Sequence, residues 1–398
     1  MFAQSPRSGV GMAIATTAAV LMTSALAACG NDNSSSDSSA DTNPAATMAA
    51  SCGGTEDDWA ALIRDAQEEG TVSVAGPPHP DVSEVLPREF KAAFDVNVDY
   101  TPGATGEIAQ KIASERQASI HSLDVFLAGA TSMSNVIYAG EWLDDLKSNL
   151  VSPDIASPEK WRGDGEGRPF VDEPNLNSVA NVSIQKQTQF IINTDLVKDG
   201  EIKGWKDLLD PKWKGKMAAM DPTKGAGLGF KLAVMLNTEL GRDFVKDLYS
   251  GQGVVLQTDD RQAADAVAKG RYAVAIGVSD SNAGLEQLIA DGLPVGVVTD
   301  PNDAPEFVSR GYGQMGLITP AAHPNAGKLF ANWILCPDGN KIWNTAAAYE
   351  SARTDVDVDV PKFLQVDTSK EYRDSDDWDL INSDIPQKVL AELKEDLN

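Results

Sequence analysis

Cysteine and histidine are nearly missing from these 398 residues, which hold three of each. The cysteines stand at positions 29, 52 and 336 with no CxxC pair among them, and HExxH is missing too, so zinc ribbons, thioredoxin-type redox motifs and zincin chemistry are excluded. His79, His121 and His323 are the only candidates for an imidazole base, and none has a nucleophile motif beside it. GxSxG does not occur; the nearest string, "GVSDS", lacks the second glycine. "DPTKGAGLGF" sets glycines ahead of a helical run but fits neither GxxxxGK[ST] nor GxGxxG. "DVDVDV" at 355–360 opens like a calcium loop, yet Val360 and Val366 stand where a glycine and a carboxylate are needed, which leaves a solvated acidic strand or loop. No enzymatic activity, metal or cofactor is expected.

Basic residues are also scarce, 33 Lys plus Arg against 59 Asp plus Glu. A surface this acidic does not hold nucleic acid or an anionic membrane by general attraction. Long uncharged apolar runs are confined to one, between Arg7 and Cys29. It is near the lower limit for crossing a bilayer, roughly 20 residues, and is organised as a secretory signal: a positive start, an apolar stretch, then small residues at a cleavage point.

Leu26, Ala27, Ala28 and Cys29 read L-A-A-C, which resembles the bacterial lipoprotein box. The resemblance implies a signal peptide over residues 1–28, diacylglycerol on the Cys29 thiol and cleavage just before it. Such a mature chain carries a charge of about −27. Residues 29–55 are rich in Ser, Asp, Asn, Ala and Gly, too poor in large apolar side chains to repay their ordering, and read as a flexible tether. With Cys29 lipidated, Cys52 and Cys336 remain, either as a disulfide in an oxidising compartment or as two unpaired thiols.

Past the tether about 340 residues remain, more than one core usually supports, which favours two lobes. Thr55 precedes an acidic first turn and an apolar stripe at Trp59, Leu62, Ile63 and Ala66, with Gly70 as a stop, so a helix is predicted there. The strand "TVSVAG" (71–76) follows, then a helix near 84–94, a strand from 96, a helix over 105–117 and a strand from 123. "NVSIQKQTQFIIN" (181–193) is a longer extended stretch. Beyond it the alternation resumes with "KMAAMD", a helix from 226, "GVVLQT", a helix near 260–269, "RYAVAIGV", a helix near 283–291 and "LPVGVVT". "GYGQMGLIT" (311–319) is extended again and leads to helices near 323–335 and 338–348; an amphipathic helix closes an acidic tail. Two α/β units joined by two extended crossings predict a cleft between lobes, a default ligand site.

"GWKDLLDPKWKGKMAAMDPTKGAG" (204–227), "AVAKGRYAVAIG" (266–277), "HPNAGKLFANWILCPDGNKIW" (323–343) and "ESARTDV" (350–356) resemble, in order and spacing, segments of the iron(III)-type solute-binding proteins of bacterial ABC importers. The resemblance implies the type II periplasmic-binding fold, an α/β fold of two lobes with a hinge of two extended crossings and a central cleft. The first lobe is then 56–186 plus 313–398 and the second 190–309. It implies a monomer outside the cytoplasm, anchored by lipid at Cys29, that captures a small solute and delivers it to ABC permease subunits. Solute contacts carried over from the family fall on Pro78 and His79, Thr131 and Ser132, Thr223, Gly225 and Gly227, Ser279 and Asp280, with Gln187 and Tyr312 on or beside the crossings. A helix start with glycines supplies free N–H groups and close backbone approach, which suits an anion. Ferric-binding members are expected to place two adjacent tyrosines in the stretch that reads "VSDSNAG" (278–284), because phenolate oxygens suit a hard trivalent cation. None of the seven tyrosines adjoins another, so an organic anion bearing phosphate, phosphonate or carboxylate is the expected solute, with ferric ion as the alternative. A sensor that reuses the fold is the non-transport alternative.

Overall fold

Helices and short strands alternate from residue 44 onward in a computed structural model that describes residues 43–162, 169–172, 176–223, 240–279 and 283–397. Pro44–Cys52 (α1) lies inside the stretch expected to be a tether and corrects its end. Asn43 caps this helix, Pro44 occupies its first turn at no cost in hydrogen bonds, and Ala45, Met48 and Cys52 are buried on one face. Cys52 is bonded to Cys336, with Cα atoms 5.5 Å apart. Composition hid this helix because its apolar groups are small apart from one methionine.

Glu56–Glu69 (α2), Thr71–Gly76 (β1), Pro80–Phe94 (α3), Asn97–Pro102 (β2), Thr105–Gln117 (α4), Val125–Ala128 (β3) and the short Ala130–Ser132 (α5), which runs on into a π-turn over Met133–Tyr138, follow in order. Helix α3 starts a turn before its predicted place. Pro80 needs no N–H partner at the first helical position, and Val82, Leu86, Phe90 and Phe94 already form one buried face from that turn on. Phe90 is at the centre of an aromatic cluster with Phe94, Phe330 and Trp333, its ring 5.0–5.2 Å from each of theirs.

The stretch 181–193, expected as one extended run, serves three sheets through Val179–Asn181 (β4), Ser183–Lys186 (β5) and Phe190–Asn193 (β6). After it come Met217–Met220 (β7), Gly241–Lys246 (α6), Val255–Gln257 (β8), Asp260–Ala268 (α7), Val274–Ile276 (β9), Leu285–Ala290 (α8), Val295–Val298 (β10), Phe307–Ser309 (β11) and Gln314–Leu317 (β12). Pro324–Leu335 (α9), Pro337–Ala347 (α10), Glu350–Ser351 (β13), Arg373–Asp374 (β14), Trp378–Asn382 (α11) and Ile385–Leu397 (α12) complete the described elements.

One sheet runs β2-β1-β3-β12-β4, with β1, β2 and β3 parallel and β12 antiparallel to both neighbours. A second runs β10-β6-β9-β7-β8, with β7, β8 and β9 parallel, β6 reversed, and β10, antiparallel to β6, running with the other three. Each has an apolar core on both faces, as a sheet with helices on both sides requires. The crossings themselves are strands: β5 pairs antiparallel with β11 (Val308 opposite Lys186, Ser309 opposite Gln185), flanked by β13 and β14. The tail does not stay with the first sheet, as expected for everything after 313. Val389 and Leu393 of α12 are buried in the same core as Phe190, Trp205 and Phe244 of the second unit. An acidic tail gives no hint of which core its few apolar residues join.

"DVDVDV" alternates as a strand would, yet outside any strand: Val356, Val358 and Val360 are buried together and the aspartates between them are exposed. The solvated half of the expectation therefore applies to the carboxylates alone.

Candidate functional site

Parallel strands present their carboxyl ends along one edge, and the topology turns both such edges toward the crossings. On the first sheet, β1 ends at Gly76, β3 ends at Ala128, and β12 begins at Gln314, opposite both Ala128 and Asn181 at the end of β4. On the second, β7 ends at Met220, β8 at Gln257 and β9 at Ile276, which lies opposite Phe190 at the start of β6. The chain leaves Asn181 for Phe190 through β5, and leaves Val298 for Gln314 through β11. Both crossings therefore join carboxyl edge to carboxyl edge, where α/β folds bind ligands.

Pro78 is exposed and His79 half-buried just past β1, with His79 as the residue before α3. Thr131 is exposed in α5; the Ser132 hydroxyl lies 3.2 Å from that of Thr105. Thr223, past β7, donates its N–H and hydroxyl to Asp221 Oδ1 at 2.9 and 2.7 Å, so it closes a local turn. The N–H of Ser279, past β9, donates to Asp260 Oδ1 at 2.7 Å. Gln187 lies between β5 and β6, its N–H bonded to the Phe307 carbonyl at 2.8 Å, and Tyr312 lies half-buried between β11 and β12. Gly225, Gly227 and Asp280, the helix from 226, the signal peptide and Cys29 lie outside the described residues.

Seven buried polar atoms at this junction find no hydrogen-bond partner among the described residues: His79 Nδ1, Gln185 Oε1, Gln187 Oε1, Thr188 Oγ1, Gln189 Nε2 and both amide atoms of Gln314. Gln314 is fully buried and Gln189 is 3 % exposed. Each unpaired buried group costs about 1–3 kcal/mol, and seven together rival the about 5–15 kcal/mol that holds a typical domain folded. Such a concentration marks a binding site more than a packing fault. Sequence reasoning found His79 and Gln187 of this set and missed Gln185, Thr188, Gln189 and Gln314. The available signal was the glutamine density of "SIQKQTQ" at 183–189, unusual for buried strands.

The charged groups nearby are already paired. Glu306, next to β11, takes Lys370 at 2.6 Å and Lys186 at 3.3 Å. Burial raises its carboxyl, but the two lysines outweigh that and hold it below the ordinary range. Arg310 pairs with Asp374 and donates to the Asp376 carbonyl at 2.6 Å. Burial, with Tyr349 nearby, pushes the Tyr100 phenol well above its ordinary value, so it stays protonated and donates to the Pro77 carbonyl at 2.9 Å. Glycine is needed beside both phenols. A Cβ on Gly76 would sit 2.5 Å from the Tyr100 oxygen, and one on Gly311, at φ +57°, 2.8 Å from the Tyr349 ring. Among the described residues no group of three or more His, Cys, Asp or Glu side chains could hold a metal ion. The arrangement can accept and donate hydrogen bonds to an enclosed solute.

The family model of the bacterial extracellular solute-binding proteins matches residues 86–368, and the chain belongs to that family. It is thus an extracytoplasmic solute-binding protein, and its architecture is the two-lobed periplasmic-binding fold. Similar solved structures include iron-bound HitA from Pseudomonas aeruginosa, at 17 % identity and a TM-score of 0.60, covering 82 % of this chain and 99 % of that one. AfuA from Actinobacillus pleuropneumoniae, with fructose-6-phosphate bound, is 19 % identical with a TM-score of 0.62 over 82 % and 98 %. Trichodesmium IdiA (FutA), in complex with iron and citrate, is 16 % identical with a TM-score of 0.60 over 82 % and 99 %. At these identities the likeness establishes the fold and not the solute. No curated protein matches the chain. Among the described residues no helix is long and apolar enough to cross a membrane.

Proposed function

We propose that the chain is the lipid-anchored receptor of an ABC importer, held by acylated Cys29 on a tether that ends before α1. A small organic anion bearing phosphate, phosphonate or carboxylate binds between the lobes and is delivered to the permease. The observation that carries this reading is the set of seven unpartnered polar atoms where the two carboxyl edges meet. Amides, a hydroxyl and an imidazole suit the uncharged body of a solute, since each amide offers both donors and an acceptor. The charged group is assigned to the helix start expected after Thr223, with Gly225, Gly227 and Lys224, and to Thr131, Ser132 and Ser279. Pro78, Asp280 and Tyr312 complete the proposed lining. The fructose-6-phosphate of AfuA and the citrate of the Trichodesmium protein are solutes of this kind. The first lobe comprises 56–186 and 313 to the end of α11, and the second 190–309 together with α12.

A thermal-shift panel of phosphorylated, carboxylated, cationic and neutral solutes, with ferric salts included, tests this. Stabilisation by members of the anionic set is the expected result; a shift with cations alone overturns it. The fold brings two phenols, Tyr100 and Tyr349, near each other although they are far apart in sequence. This one observation favours ferric ion as the second reading. A shift with ferric salts that Tyr349→Phe abolishes selects it.

A further inference from the structure

We propose that residues 373–397 form a strap that grips both lobes and the hinge and so sets the angle between the lobes. The strap lies beyond residue 368, where the family match ends. It starts on the hinge. Strand β14 pairs with β11, Ser375 donates its N–H to the Val308 carbonyl at 2.9 Å, and Asp376 accepts from the Ser309 hydroxyl and the Arg310 N–H at 2.7 Å each. Helix α11 then grips the first lobe. Trp378 is buried edge-on against Tyr138 at 4.8 Å, in the core that holds Phe126 and Met133, and buried Ser134 donates to Asn382 Oδ1 at 2.6 Å.

Helix α12 grips the second lobe. Val389 and Leu393 enter the core that holds Trp205 and Phe244, while Arg242 of α6 forks onto Asp396 at 2.6 and 3.1 Å and reaches Glu395 at 2.8 Å. Only Ser383 and Asp384 separate the two helices. Three residue steps reach at most about 11 Å, so the strap cannot stretch to follow a wide rotation of the lobes. Either the lobes keep the angle at which both grips form, or one grip releases. The second-lobe grip is the one that salt and charge substitution can loosen, because it relies on a charge fork whose Arg242 and Glu395 reach solvent. Release of α12 from Arg242 is thus the step that frees the lobes, whatever the solute.

The test is free of solute and therefore fails or succeeds apart from the reading of the cleft. It uses the chain from residue 29 onward with Cys29→Ala, comparing the parent, Arg242→Glu, and Arg242→Glu combined with Glu395→Arg and Asp396→Arg. Small-angle scattering reads the lobe angle and hydrogen exchange reads α12. Arg242→Glu is expected to increase the radius of gyration beyond error and to speed exchange over 385–397, and the charge-swapped variant to restore both. An unchanged radius with faster exchange shows that α12 packs without setting the angle and overturns the proposal, as does no change in either. Should Arg242→Glu fail to fold, Asp396→Asn must shift the radius in the same direction by less, and an unchanged radius there overturns the proposal as well.

Discussion

Gln314 illustrates what a single residue contributes here. Its amide is fully buried at the start of β12 with neither end partnered, a cost that only a bound group offsets. Gln314→Leu should therefore leave the melting temperature of the protein alone unchanged or raised, while removing most of the shift produced by a stabilising solute. A large loss of stability without solute would make Gln314 structural. At Cys52 the expectation is the reverse. Its bond to Cys336 closes a loop of 284 residues, so Cys52→Ser should lower unfolding free energy by about 2–5 kcal/mol in a denaturant titration and leave solute recognition intact. Neither role was legible in the sequence. A glutamine reads as surface until the strand around it is known to be covered, and two cysteines so far apart do not announce that they meet. His79 and Gln187 were singled out through the family resemblance, which places solute contacts just past a strand and on a crossing.

Among elements, the hinge departs furthest from its sequence reading. Strands with clear alternation or apolar runs, such as "TVSVAG" and "RYAVAIGV", fall where they were expected, and so do α2, with its Thr55 cap and Gly70 stop, and α4. The crossings were seen only as extended chain, since nothing local records that β5 and β11 hydrogen-bond to each other or that β14 comes back to join them. Glu306 ties this sheet together through Lys186 and Lys370. Its folded carboxyl lies below the ordinary value, so its contribution is present above that value and lost as pH falls through the folded one. Glu306→Gln should accordingly lower the melting temperature by a few degrees at most near neutral pH, and the difference should vanish once the pH falls below the lowered folded value of Glu306. A difference that persisted in acid would point to packing instead of charge.

For the whole molecule, the fold was legible because two runs of alternating helices and strands and two extended breaks already imply two lobes. The allegiance of the tail was not, because α12 chooses its core through a few apolar residues, Val389 and Leu393 buried and Ile385 and Leu397 packed beside them. Anchoring is a prediction at this scale: the native chain should partition into detergent, whereas Cys29→Ala should remain unprocessed or be released, with its solute shift retained. Native protein in the aqueous phase would remove the lipid from the account. The central claim is that one solute touches both lobes and favours the arrangement in which they close on it. Small-angle scattering of the Cys29→Ala chain, with and without a saturating amount of the anion that gives the largest thermal shift, tests it most directly. The account predicts a smaller radius of gyration with the anion and no such change in Gln314→Leu; an unchanged radius at saturation would contradict it.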